Sequence, residues 1–138
     1  MKLALFLSSI GALLVATTPA AAHHAFSAEF DANQPITLRG TVARVEWINP
    51  HAWIHIDVPD DSGNVARWMI EAGSPNTLVR RGLTRDSLPI GTEIVVFGYR
   101  HRNGSNAANG RDVTLPDGSK AFLTSPGTGA PSGEDAPR

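Results

Sequence analysis

The stretch from Trp47 to Val58, Trp-Ile-Asn-Pro-His-Ala-Trp-Ile-His-Ile-Asp-Val, constrains the fold more than any other part of the chain. From His51 onward its residues alternate, with Ala52, Ile54, Ile56 and Val58 on one side and His51, Trp53, His55 and Asp57 on the other. Period-two alternation marks a strand with one face in a core. The Asn49-Pro50 pair breaks any strand arriving from the N-terminal side, because proline has no N–H to give to a ladder. The stretch therefore predicts a strand end, a tight turn and a second strand. Its polar face carries imidazoles and an indole where lysine, threonine or glutamate would ordinarily stand.

Strands on either side extend this unit. Residues 36–47 are rich in β-branched side chains and contain Gly40, which inside a long strand marks a bulge or bend. Pro59-Asp60-Asp61-Ser62-Gly63-Asn64 is a turn signal, so residues 65–72 should return as a hairpin with Trp68 and Ile70 facing the core. Ser74 as N-cap and Pro75 at the first helical position open a short helix through about Arg81, which Gly82 closes. Residues 92–101 form the next strand, 103–110 read as a loop, and 111–115 and 120–124 flank a turn at 116–119. A long, glycine-bent first strand and a helix between strands three and four predict a mainly β fold. Its form is a small five- to six-stranded barrel of OB type with one short helix.

Residues 1–22 have the form of a secretory signal peptide: Lys2, an apolar run from Leu3 to Ala16, and small residues ending at Ala20-Ala21-Ala22. The apolar run is shorter than the ~20 residues a membrane span needs, so cleavage near Ala22 implies an exported product without stable membrane insertion. With no cysteine in the chain, an apolar core rather than disulfides must hold the fold, and thiolate metal sites and thiol catalysis are excluded. A formal charge of −1 gives no electrostatic case for nucleic acid. Residues 23–124 are expected to form one barrel-like domain. Residues 125–138, mostly Pro, Gly, Ser and Ala, read as a disordered tail.

Cleavage after Ala22 would make His23 the first residue. Its free α-amine and imidazole could chelate one ion, and one more imidazole would complete a three-nitrogen histidine brace. That donor set suits copper(II) first and zinc second. His24, His51 and His55 are candidates for the third nitrogen. A solvated His-His terminus of no consequence is the plain alternative. His51 and His55 lie about 13 Å apart along a straight strand, so they cannot both bind one ion unless it bends. His51, beside the turn, is the better ligand, and His55 is the better structural residue, packed on Trp53 or paired with Asp57.

Without a metal, an aromatic face would carry binding. Trp53 is the leading platform residue, with Trp47, Asp57 and Glu71 as the other members of the candidate ligand face. For Trp47 and Trp68 core packing is the simpler role. Glu71 could accept hydrogen bonds from the start of the helix. The chain has no Gly-x-Ser-x-Gly elbow, no phosphate loop and no His-Glu-x-x-His signature. It does not read as an enzyme, with a histidine-brace copper redox enzyme as the alternative.

His23-His24-Ala25-Phe26, Gly40-Thr41-Val42, Trp47-Ile48-Asn49-Pro50-His51, Glu71-Ala72-Gly73-Ser74-Pro75-Asn76 and Pro116-Asp117-Gly118 together resemble a family of small exported bacterial proteins of unknown function. The resemblance implies a Gram-negative periplasmic protein and supplies no activity. A looser likeness, in topology alone, is to exported bacterial OB-fold proteins. The expectation is a small periplasmic binding protein. It would hold copper through His23, His24 and a strand-two histidine, or bind a peptide, glycan or protein partner through Trp53 and its neighbours.

Overall fold

Strand β1 runs from Phe30 to Glu46 and belongs to two ladders at once. Residues Pro35–Thr41 pair with β4 (Glu93–His101), and Thr41–Glu46 pair with β2 (Trp53–Pro59), both antiparallel. The two ladders overlap at Thr41. Beside it, a Cβ on Gly40 would stand 2.8 Å from the Asp57 carbonyl oxygen, and a bulge follows between Val42 and Arg44. The computed structural model describes residues 26–125 and 128–131.

β1 starts six positions before the residue 36 at which β-branched content begins. The reason lies in Asp31, whose carboxylate accepts from the Asn33 N–H at 3.0 Å and the Gln34 amide at 3.0 Å. That local Asx-type bonding makes the segment look like a turn, yet it rides on β4 with irregular register between Phe30 and Pro35. A helical turn over 26–29 precedes it.

β3 (Val65–Glu71) follows β2 as the predicted hairpin, with Ile56 opposite Trp68 and Ile54 opposite Ile70. Helix α1, Pro75–Arg80, is capped as the sequence implies. The Ser74 hydroxyl accepts from the Thr77 N–H, Pro75 opens the helix, and Gly82 takes φ +84° beyond the C-cap Arg81. Leu78 from this helix is fully buried. A 3-10 turn at Arg85–Ser87 leads to β4.

β5, Ala107–Thr114, corrects one reading: residues 103–110 are not all loop. Its first half pairs in parallel with β3, Met69 to Ala107, Ile70 to Ala108 and Glu71 to Asn109, while residues 108–114 run antiparallel to β4 with one register shift. Asn and Gly suggested a loop, but the small residues are there for steric reasons. A Cβ on Gly110 would stand 2.7 Å from Leu123 and 2.8 Å from Ile70, and one on Gly98 would collide with the Asn109 carbonyl. Only glycine lets the strands approach this closely. β6 (Lys120–Phe122) adds a short last ladder to β5.

The parallel β3–β5 contact closes the sheet into a ring, β1-β2-β3-β5-β4 and back to β1, with α1 between β3 and β4. This is the five-stranded OB barrel, extended by β6. Ile54, Ile56, Ile70, Ile94, Val96 and Val113 fill it from the strands, with Leu78 and Leu123 beside them. A second, smaller cluster lies apart from it: Phe26, Phe30 and Tyr99, with Phe97 and Ala130 against them. Of the segment read as a tail, Ser125 accepts from the Ser74 N–H at 3.3 Å and Ala130 packs on this second cluster.

Candidate functional site

The second aromatic cluster forms one wall of a cleft of about 460 Å³. The opposite wall comes from the β1–β2 connection, where Ile48, Asn49, Pro50, His51 and Trp53 follow one another past a cis Asn49–Pro50 bond. Glu71, Asn109, Glu29 and Thr128 complete the lining. The alternation that begins at His51 places these side chains. Ala52, Ile54 and Ile56 are fully buried in the barrel, so His51 and Trp53 must point the other way, into the cleft.

Two backbone bonds continue the β2–β3 pairing past the strand ends. The Ala72 N–H donates to the Ala52 carbonyl at 2.9 Å, and the Ala52 N–H donates to that of Gly73 at 3.1 Å. They hold His51 beside the end of β3, where its Nδ1 lies 3.3 Å from the Ala72 carbonyl oxygen and 3.6 Å from a Glu71 carboxylate oxygen. With Nδ1–H donated to Ala72, Nε2 is the ring nitrogen left as an acceptor or ligand.

Glu71 is only 9% exposed. It lies opposite Asn109 in the closing β3–β5 ladder, and the Asn109 amide donates to it at 3.3 Å. Burial raises its pKa above the ordinary carboxylate value. The nearby Glu29 charge adds to that rise, while His51, Asn109 and His101 oppose it. The role read for Glu71 at the helix start is corrected: Ser74 caps α1, and Glu71 turns to His51 and Asn109 instead. The sequence missed Asn109 altogether, since its segment read as loop. Its Oδ1 is buried without a hydrogen-bond partner.

The other candidates separate from this site. His55 is buried on the outer side of β2, with its Nε2 3.6 Å from Glu46, which also binds Arg44 at 2.5 Å. Its acidic neighbour is thus Glu46 and not Asp57. Asp57 is held by Arg67 across the β2–β3 ladder at 2.6 and 3.1 Å, and that guanidinium lowers its pKa. Trp47 packs half-buried against the barrel core, and Trp68 is buried in it with Arg100 stacked 5.3 Å from its ring centre. Trp53 remains the half-buried indole of the cleft. His101 sets its ring edge 5.2 Å from Phe30 and accepts from the Asn103 N–H.

His23 and His24 lie outside the described residues. Among the described residues no three His, Cys, Asp or Glu side chains converge as a metal set. No helix among the described residues is long and apolar enough to cross a membrane.

In sequence the chain is 21% identical to the dimeric N-terminal domain of the PriB protein from Thermoanaerobacter tencongensis, a solved structure. That match covers 60% of this chain and 96% of that one at a TM-score of 0.40, so the barrel assignment rests on the strand order alone. No curated protein sequence matches significantly. The model of the family of unknown function DUF6152 matches residues 12–110, most of the chain, and the protein belongs to that family.

Proposed function

We propose that the protein is an exported, periplasmic binding protein whose cleft holds a copper(II) ion between the processed N-terminus and His51. The observation that carries this reading is the orientation of His51: Nδ1 faces the Ala72 carbonyl and Glu71, as in the carboxylate- or carbonyl-backed histidines of metal sites, and Nε2 is left for a ligand. Phe26, buried in the cleft wall, follows His23 closely enough that the intervening chain spans at most about 11 Å. A connection that short would let the amine and imidazole of His23, or the imidazole of His24, enter that cleft. Copper(II) favours such nitrogen donors, and zinc is the second choice. His55, paired with Glu46, is left out. The bound ion would serve storage, delivery or sensing, and no catalytic step is assigned to it.

The test is copper titration of the mature chain, with its N-terminus verified by mass spectrometry. One equivalent should bind, with electron paramagnetic resonance reporting nitrogen ligation. A dissociation constant unchanged by His23→Ala and His51→Ala together would overturn the proposal. A second reading is favoured by Trp53, half-buried in the cleft wall. There the protein is a metal-free module that reads a peptide, glycan or protein partner, and Trp53→Ala abolishes binding while copper changes nothing.

A further inference from the structure

The cleft is far larger than a metal ion needs. Its volume of about 460 Å³ lies within the ~300–1,000 Å³ range of sites for small organic molecules. Its lining also has a definite chemistry. The charged side chains lining it include Glu29 and Glu71 and neither lysine nor arginine. Phe26 and Phe30 contribute buried apolar surface, and Trp53 is half-buried. Two carboxylates facing one cleft repel each other, and a cation between them relieves that repulsion. Trp is the aromatic side chain that attracts cations best.

We propose that this cleft binds a small organic ammonium ion, its charged nitrogen held by the Glu29 and Glu71 carboxylates and its hydrocarbon part against Trp53, Phe26 and Phe30. The ring-closing ladder makes the Glu71 side of the site rigid, because Asn109 donates to Glu71 from the adjacent strand. The Glu29 side is exposed and lies on the helical turn at 26–29, which offers the ligand an open approach. The ammonium site uses no residue before Phe26 and shares its cleft with His51, so its test is made with metal removed.

The test is calorimetric titration of the mature, chelator-treated full chain with benzylammonium, using benzyl alcohol and benzoate as neutral and anionic controls. Benzylammonium should bind about tenfold tighter than benzyl alcohol, with benzoate weaker than both. Glu29→Gln with Glu71→Gln should erase the preference for the ammonium ion. Should that double variant fail to fold, Glu29→Gln alone, at an exposed side chain, should reduce the preference severalfold. Equal affinity for the ammonium ion and the alcohol would overturn the proposal, as would a preference that survives the substitutions. Metal is absent throughout, so either result leaves the copper proposal to its own titration.

Discussion

The Nδ1 atom of His51 stands 3.6 Å from the carboxylate of Glu71, a contact between the end of β3 and a residue just before β2. It is the polar centre of the cleft. The alternation of β2 and the closure of the barrel through β5 both converge on it, and it sets the first prediction.

Burial holds the Glu71 pKa above its ordinary value of 4.5, so the folded chain binds this proton more tightly than the unfolded chain does. The stability that results is fully present below that ordinary value and is lost as pH rises through the raised one. Glu71→Gln keeps an oxygen to accept from Asn109 and removes the ionisation. The variant should melt higher than the parent at neutral pH, with the two converging near about pH 4. Thermal melts across that range decide it; a difference independent of pH would contradict the assignment.

Gly40 lies close against β2, and a Cβ there would press first on the Asp57 backbone. Gly40→Ala should cost about 1–3 kcal/mol, the usual range for overpacking. Urea denaturation followed by tryptophan fluorescence should show a lower midpoint with an unchanged slope.

Ser74 caps a helix of only 6 residues, and its hydroxyl also contacts the Thr77 hydroxyl at 3.0 Å. Ser74→Ala should cost about 1 kcal/mol, and Ser74→Asp, which keeps an acceptor, much less. Equal losses in the two variants would show that the cap is not the source of the stability.

Much of the barrel was legible because its signals are local. The period-two run of β2, the turn at residues 59–64 and the Ser74-Pro75 cap each state their structure in a few residues. β5 was not legible. Its Ala107-Ala108-Asn109-Gly110 half is strand because β3 lies beside it and Ile70 and Leu123 press on Gly110, and no local pattern encodes a neighbour so distant in sequence. The site divides in the same way. His51 and Trp53 followed from the alternation, whereas the partner of Glu71 depended on β5 and was invisible with it. Asp57 and His55, adjacent on the polar face of one strand, turned out to answer to different strands, β3 through Arg67 and β1 through Glu46.

Thr41 has a partner on each side, Asp57 in β2 and Glu93 in β4. The two ladders are therefore not separable parts that merely touch. Peeling either neighbour away exposes a flank of the same strand, and the apolar residues Leu38 and Val42 on either side of the junction lose their cover with it. Amide protons around Thr41 should accordingly exchange only when the whole molecule opens, at the full free energy of unfolding. The first strand to leave the chain's N-terminal segment is in that sense the last one the fold can spare.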